Sequence, residues 1–241
     1  MMGPKMRMTQ VISIEDLSPH MRRITVTGES LTDFPQDRES AHVKVIFPKP
    51  DAIDNKPMLG IYFGFKKWMR TYTVRKFDQK ELQLTLDFAI NDHEGLASNW
   101  AAKAKEGDYI GIAGPGSKIK HTNLNAEHHI FIGDLTALPA IASTLEQLPA
   151  SAVGSACIQV PNEADIQLLD APKGVDVQWV VTKDKLTDRF LESLKAQPKD
   201  LRNTAIFIAG ATSIVKQLKA YLNKNCQYNK SNLYASPYWN D

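Results

Sequence analysis

The chain has 241 residues, enough for one large domain or two of ordinary size, and its 43% apolar residues can build buried cores. Lys and Arg together number 29 against 27 Asp and Glu, so the net charge of +2 cannot by itself drive binding to nucleic acid or to a membrane. We therefore expect a globular protein with no nucleic-acid and no membrane partner.

The sequence shows no motif that predicts a targeting segment, a membrane helix or a metal site. The segment MMGPKMRMTQ has no apolar core of signal-peptide length, and no apolar run reaches the roughly 18 residues that a membrane helix requires. Cys157 and Cys226 form no CxxC motif, and no His/Cys cluster has metal-ligand spacing. We expect a cytoplasmic protein without a metal site, an iron–sulfur cluster or a disulfide framework.

The first half of the chain is predicted to form short strands separated by turns. Each segment is alternating or β-branched and is bounded by Gly, Pro or Asp: MTQVISIE, RRITVTG, AHVKVIF, TYTVRKF, ELQLTLDFAI and DYIGIAG. Strands at this spacing favour a closed antiparallel barrel. A short helix, LASNWAAKA at 96–104, interrupts the strands before the last of them.

In the second half of the chain the spacing of apolar residues alternates between strand and helix periods. Strand and helix patterns alternate through HHIFIGD, ALPAIASTLEQL, GSACIQV, VDVQWVVT, LTDRFLESLKAQ, TAIFIAG, SIVKQLKAYLNKN and SNLYASPY. This alternation favours an open parallel sheet with helices on both faces. With a boundary near 123–127, we predict an antiparallel β-barrel domain at 1–125 and an α/β domain at 126–241.

The strand segment RTYTVR, residues 70–75, carries more polar chemistry than packing requires. Strand alternation would place its even-numbered residues on one face and its odd-numbered residues on the other. A Tyr can lie flat against an aromatic ring system, a Thr can hydrogen-bond at the ring's edge, and an Arg can bind a phosphate. The spacing leaves two interpretations open: a site for a flat, anionic ligand, or a solvated edge strand with ordinary salt bridges.

Helix starts supply three further candidates. Gly95 to Ser98 opens the predicted helix, where N–H groups could bind a pyrophosphate and Ser98 could act as N-cap, with or without a ligand. Asp134 and Thr136 end the first parallel strand, a usual ligand position, although Thr136 could simply cap the helix that Pro139 starts. Gly210 ends a later strand before a helix, the usual setting for a nucleotide phosphate or ribose.

Three motifs carry a family resemblance. RTYTVR resembles the flavin-binding RxYTxR signature of the siderophore-interacting protein family, a branch of the ferredoxin-NADP reductase superfamily. LDFAINDHEGLASNWAAKAKEGDYIGIAGPGS resembles the family's second signature, and IFIGDLTALPAIASTLEQL resembles its strand-to-helix segment. The matches span roughly 70–148 in the expected order, which makes them more specific together than singly. LYASPYWND is similar to the family's tyrosine-tryptophan end.

The resemblance implies a Greek-key β-barrel that binds FAD and a nicotinamide-binding-like α/β domain. FAD would be the cofactor, and NADH, NADPH or reduced ferredoxin the electron donor. No catalytic side chain is predicted, because the electrons pass through the flavin. The implied cofactor-binding residues are Arg70, Tyr72, Thr73, Arg75, Asp87, Phe88, Ala89, Asn91, Gly95, Leu96, Ala97, Ser98, Asp134, Thr136 and Ala137.

A basic basin for an anionic iron chelate is the second implied site. Its candidate residues are Lys49, Lys66, Lys67, Lys118 and Lys120, with Tyr238 and Trp239 covering the flavin or the entrance. Two ordinary interpretations stay open beside it. The lysines could form a solvated face, and the aromatic pair could anchor its segment to the core.

The implied activity is that of an FAD-dependent oxidoreductase that reduces a ferric siderophore, so that Fe(II) leaves the chelate. We expect a monomer with a ferric siderophore as its small-molecule substrate and ferredoxin as a candidate protein partner. Two alternatives remain open. One is a general NAD(P)H-flavin or ferredoxin reductase with a non-iron acceptor, and the other is a non-catalytic siderophore-binding flavoprotein.

Overall fold

The computed structural model describes residues 5–49, 55–58, 65–90, 95–115, 123–183 and 187–241, with the backbone alone at residues 65, 66 and 187. The chain divides into two compact units, Met1–Ile119 and Lys120–Asp241, here called the barrel unit and the α/β unit. Each unit is built around its own cluster of buried apolar side chains.

The barrel unit is a seven-stranded antiparallel sheet in the order β4-β3-β7-β1-β2-β6-β5. Hairpins alternate with connections that return a later strand beside an earlier one, which is the Greek-key arrangement. The strands are β1 (Met6–Ser18), β2 (Met21–Thr27), β3 (His42–Ile46), β4 (Met69–Thr73), β5 (Lys76–Asp78), β6 (Gln83–Ala89) and β7 (Tyr109–Ala113). Helix α1 (Leu96–Lys103) lies between β6 and β7, as predicted.

The sheet curls until β4 meets β6, although the two strands stand far apart in the hydrogen-bonded order. The rings of Tyr72 on β4 and Phe88 on β6 lie 4.3 Å apart, and the Arg75 N–H donates to the Thr85 carbonyl at 3.0 Å. Buried side chains such as Ile24 and Leu86 fill the interior. The predicted antiparallel barrel is confirmed.

The predicted strand TYTVRKF is wrong in one respect, because the structure breaks it between β4 and β5. The Val74 N–H donates to the Ala41 carbonyl and the Val74 carbonyl accepts from Ser40, whereas Arg75 bonds to Thr85 on β6. The backbone therefore changes its partner strand at this point, while the buried Val74 side chain fills the core. The strand β4 therefore ends at Thr73, although Val74 is still buried in the core cluster against which Tyr72 packs, as the alternation predicts.

The α/β unit contains a five-stranded parallel sheet in the order β10-β9-β8-β12-β14, which confirms the predicted open sheet. Its elements are β8 (His128–Asp134), α2 (Leu138–Leu145), β9 (Val153–Val160), β10 (Gly174–Val181), α3 (Thr187–Lys195), β12 (Thr204–Ala211), α4 (Thr212–Asn225) and β14 (Leu233–Trp239). Two short strands that the sequence did not predict, β11 (Asp200–Leu201) and β13 (Gln227–Tyr228), pair with each other.

Helices cover both faces of the parallel sheet. Ile130 and Ile206 pack in one buried cluster with residues of α3 and α4. On the opposite face α2 comes so close that a Cβ on Gly133 would lie 2.6 Å from Cβ of Ala137. Within the described ranges, no helix is long and apolar enough to cross a membrane.

Candidate functional site

The predicted flavin strand β4 pairs with β3, and this pairing fixes which way its side chains face. Val43 lies opposite Tyr72 and Val45 lies opposite Arg70. Directly opposed residues of an antiparallel pair share one face of the sheet. Both valines are buried in the barrel core, and Tyr72 and Arg70 share their face of the sheet, with Tyr72 half-buried and Arg70 exposed near the start of the strand.

Tyr72 belongs to an aromatic cluster that joins β4 to helix α1. The Phe88 ring lies 4.3 Å from that of Tyr72 and 5.8 Å from that of Trp100 on α1, and Trp100 also contacts Phe47. Burial raises the pKa of Tyr72 by more than the Arg70 charge lowers it, so the phenol stays neutral and can donate a hydrogen bond. The Phe88 side chain is fully buried and packs against the Tyr72 ring from the core side.

The guanidinium of Arg70 is exposed at the start of β4. Its Nη1 donates to the carbonyls of Lys67 and Met69 at 3.0 and 2.8 Å. No carboxylate among the described residues forms an ion pair with it. Because neutral carbonyls orient this charge without cancelling it, Arg70 is suited to an anionic ligand such as a phosphate.

Arg75 is already engaged by a buried carboxylate. Its Nε lies 3.5 Å from Oδ2 of Asp87, whose side chain is 4% exposed. Arg23 binds the same carboxylate with two hydrogen bonds, at 2.8 and 2.9 Å. Arg23 has no signal of its own in the sequence, because only the pairing of β2 with β6 places it opposite Asp87. The three side chains carry two positive charges and one negative charge.

The start of α1 has the polarity that a pyrophosphate needs. Gly95 is the N-cap, and the first bond within the helix runs from the Asn99 N–H to the Gly95 carbonyl at 2.8 Å. The amides of Leu96, Ala97 and Ser98 precede that bond, and the first turn holds no acidic residue. The prediction of Ser98 as N-cap is wrong, since it is the third residue of the helix.

Asp134 ends β8 and is held by three donors. Its Oδ1 accepts from the Thr136 amide at 2.9 Å and from the Thr136 hydroxyl, and its Oδ2 accepts from Nε1 of Trp239 at 2.7 Å. Burial raises the pKa of Asp134, and these hydrogen bonds oppose that rise. Thr136 therefore does not cap α2, whose N-cap is Ala137 without a side-chain bond. Pro139 lies in the first turn of α2, as predicted.

Gly210 and β14 complete the surroundings of Asp134. Gly210 has φ of +144°, and a Cβ there would lie 2.6 Å from Oδ2 of Asp134, so this position requires glycine. Tyr238 is partly buried, which raises its pKa well above the ordinary value, and its hydroxyl lies 3.4 Å from that of Tyr234. Trp239 remains 39% exposed although its indole N–H is bound.

The structure describes only part of the predicted basic basin. Lys49 and Lys67 are exposed, and they flank the same end of the β3–β4 pair, where Ile46 lies opposite Met69. The Lys67 ammonium lies 5.3 Å from the centre of the Trp68 ring. The predictions for Asn91, Lys118, Lys120 and the Lys66 side chain lie outside the described residues.

A cavity of about 600 Å³ opens at the opposite edge of the parallel sheet, where β8 and β12 begin. Its charged side chains are paired among themselves. Arg202 binds Asp200 at 2.6 Å, and the Asn203 amide donates to Glu127 at 3.0 Å. The candidate site of the α/β unit therefore remains at the carboxyl edge, with Asp134 and Gly210.

Comparisons with known proteins agree with these features. Residues 10–119 match the model of the siderophore-interacting FAD-binding domain, and residues 126–241 match the model of the siderophore-interacting protein family. The two matches follow one another and cover nearly the whole chain.

Similar proteins extend over the same length. Ferric vibriobactin reductase ViuB of Vibrio cholerae is 29% identical over 241 residues, covering 97% of this chain and 89% of the relative. An NADPH-dependent ferric-chelate reductase of Escherichia coli is 29% identical over 243 residues, covering 98% and 93%. The crystal structure of the siderophore-interacting protein SipS from Aeromonas hydrophila superposes with a TM-score of 0.85 at 32% identity, covering 98% and 92%. The resemblance carried by the three motifs is confirmed: the chain belongs to the siderophore-interacting protein family.

Proposed function

We propose that the chain is an FAD-dependent ferric-siderophore reductase, which reduces chelated Fe(III) to Fe(II) and so releases the iron. Its relatives are a ferric vibriobactin reductase and a ferric-chelate reductase, and both are similar over almost the entire chain. The observation that carries the proposal is the guanidinium of Arg70, which forms no ion pair with a carboxylate of the described residues and lies on the same strand as the neutral phenol of Tyr72.

The residues of the barrel unit fit the chemistry of FAD. Arg70 and the first amides of α1 supply positive partners for the pyrophosphate, and the Tyr72 ring supplies a flat aromatic partner for the ring system. Thr73 supplies a hydroxyl at the end of β4. Arg75, Asp87 and Phe88 hold this set in place, while contacts through Ala89, Asn91, Asp134, Thr136 and Ala137 stay predictions.

The side chains have binding and positioning roles in this proposal. A hydride carries two electrons, whereas Fe(III) accepts one. Bound FAD would supply the chemistry that takes up two electrons and releases them singly. The phenol of Tyr72 keeps its proton because its pKa is raised, so it holds the ring system without taking part in proton transfer. The exposed ammonium groups of Lys49 and Lys67 offer counter-charges to an anionic chelate, whose hard oxygen ligands suit Fe(III).

NADPH is the proposed electron donor. NADH and reduced ferredoxin are the two other donors to be compared with it in the assay below. The Escherichia coli relative is named as NADPH-dependent, and Gly210 followed by α4 offers a usual position for a nucleotide phosphate. A FAD-binding domain at 1–125, a nicotinamide-binding-like domain at 126–241, a monomeric state and a cytoplasmic location belong to the same proposal.

An anaerobic reduction assay tests the proposal. The visible spectrum of the purified protein is recorded, one donor is added, and a ferric siderophore follows together with a chromogenic Fe(II) chelator. We expect flavin absorption bands that bleach with NADPH and return as Fe(II) appears. A colourless protein that takes up no added FAD would overturn the proposal. Quinone reduction faster than ferric-chelate reduction would favour a general reductase, and tightly bound flavin without turnover would favour a binding protein.

A further inference from the structure

Helix α1 is bound at its carboxyl end by an arginine of strand β2. Nη1 of Arg22 donates to the carbonyls of Ala101 and Ala102, both at 3.0 Å. These carbonyls belong to the last turn of a helix that ends at Lys103, where backbone acceptors lack a partner within the helix. The positive charge also suits the negative end of the helix dipole. Arg22 therefore caps α1 through its side chain.

Arg22 is itself oriented by Asp16 on the neighbouring strand β1. Nε and Nη2 of Arg22 donate to the two carboxylate oxygens of Asp16 at 2.6 and 3.2 Å, and the two residues lie directly opposite each other in the β1–β2 pair. Two such bonds fix the plane of a guanidinium. Only 21% of the Arg22 side chain is exposed. The carboxylate thus holds Arg22 with Nη1 directed at α1.

The position of α1 depends on such tertiary contacts, because the helix has only eight residues. Helices of this length are marginal on their own. Ala97 and Ala101 lie in the barrel core and Trp100 packs against Phe88, while the N-cap Gly95 has no side chain to offer. Over a helix about 12 Å long, a tilt of about 5° displaces one end relative to the other by about 1 Å, enough to weaken a hydrogen bond.

We propose that Arg22 is a positioning residue for the pyrophosphate of FAD, which acts through α1 without touching the cofactor. The inference rests on the proposed function, in which the first amides of α1 bind that group. Residues 10–119 match an FAD-binding domain, so Arg22 and α1 both belong to the unit that binds the cofactor. By fixing the last turn of α1, Arg22 fixes the direction of the helix and hence the place of its first amides.

Flavin titration of the full-length apoprotein tests this role. The variant is Arg22→Met, which keeps a long apolar side chain and removes the donors. FAD and riboflavin, which has the ring system but no pyrophosphate, are titrated by flavin fluorescence. We expect Kd for FAD to rise roughly threefold to tenfold in Arg22→Met, the range of interactions at a helix end, while Kd for riboflavin stays unchanged. Arg22→Lys should recover part of the FAD affinity, because an ammonium group can still donate to the carbonyls of α1.

Two controls separate positioning from a loss of charge and from a loss of stability. Arg202→Met removes a guanidinium from an exposed ion pair of the α/β unit. Val26→Ala shortens a fully buried side chain further along β2 and lowers stability through lost packing. Both changes leave Arg22 and its bonds to α1 in place, so Kd for FAD should stay at the parent value. Asp16→Asn, which weakens the hold on Arg22, should give a Kd between those of the parent and Arg22→Met.

Three results would overturn the inference. An unchanged Kd for FAD in Arg22→Met, with a lower midpoint of urea unfolding, would make Arg22 an ordinary helix cap. Equal losses of affinity for FAD and riboflavin would show that the change spreads through the barrel core instead of acting at the pyrophosphate. A similar loss in Val26→Ala would trace the effect to stability. A parent protein that binds no FAD would refute the proposed function itself, and the parent titration alone distinguishes that failure from the other three.

Discussion

The indole Nε1 of Trp239 donates a 2.7 Å hydrogen bond to Oδ2 of Asp134, joining two residues 105 positions apart in the chain. The bond connects the end of β14 to the end of β8. It favours the interpretation that the pair Tyr238 and Trp239 anchors its segment to the core, because the Trp239 indole N–H binds the buried Asp134 carboxylate of the same unit.

Replacing Trp239 by Phe should raise the pKa of Asp134 further, because the lost hydrogen bond is one of those that lower it. A carboxyl whose pKa is raised on folding contributes stability below its unfolded value, near 3.8, and loses it as the pH rises through the folded pKa. The pH window of falling stability should therefore extend upward in Trp239→Phe. Carbon-13 NMR titration of the Asp134 carboxyl measures the shift.

The control for this experiment is Trp179→Phe, on the edge strand β10, which should leave the Asp134 titration unchanged. An Asp134 pKa that is the same in Trp239→Phe as in the parent protein would contradict the hydrogen bond. Urea unfolding should also show a loss of about 1.5–3 kcal/mol for Trp239→Phe near neutral pH, the usual contribution of a hydrogen bond to a charged group.

Replacing Arg70 by Ala should weaken FAD binding at least about tenfold, since a charge-assisted phosphate contact contributes about 1.5–3 kcal/mol. Arg70→Lys should recover part of the affinity, because it keeps the charge but loses the planar fork. Quenching of flavin fluorescence on titration of apoprotein gives Kd. Arg189→Ala, at an exposed position of α3, is the control for the loss of a guanidinium. Full flavin occupancy of Arg70→Ala at low micromolar FAD would show that another group binds the phosphates.

Sequence patterns predicted most elements of both units, because strand and helix periods depend on local alternation of apolar residues. The break at Val74 could not be predicted in this way. The apolar alternation continues through Val74, and the break results from the hydrogen bonds of Val74 to Ala41 and Ser40 and from the bond between Arg75 and Thr85. Propensity at residues 71–77 is overridden by these tertiary contacts.

The sequence predicts those residues of the candidate site that lie together in a short motif. It does not predict those that only strand pairing brings together. Arg70, Tyr72 and the start of α1 lie in short motifs that a single sequence displays. Arg23 becomes visible only when β2 and β6 are aligned, because its partner Asp87 lies 64 residues away. The bonds from Arg22 to the carbonyls of α1 likewise join groups about 80 residues apart.

Removing Arg23 should destabilise the barrel unit by about 2–4 kcal/mol, because it would leave the buried Asp87 carboxylate with Arg75 alone at 3.5 Å. The double variant Arg23→Met with Asp87→Leu should recover part of that loss, because the buried carboxylate is removed together with its bidentate partner. Urea unfolding of the three proteins measures the difference. Lys5→Met, which removes an exposed partner of Asp33, is the control and should have little effect. Additive losses in the double variant would contradict the coupling.

His42, opposite Thr73 on the neighbouring strand, should make the barrel unit sensitive to acid. Burial, followed by the charge of Lys44, lowers its pKa from 6.5 to about 4. Between these values the unfolded chain binds more protons than the folded one, so stability rises with pH and is lost as the pH falls from 6.5 toward 4. His42→Gln should lack this slope, and the parent protein should lose up to about 3 kcal/mol relative to the variant across that window. Urea unfolding at several pH values, with NMR titration of the His42 ring, measures both quantities, and equal slopes for the two proteins would show that His42 is not the acid-sensitive group.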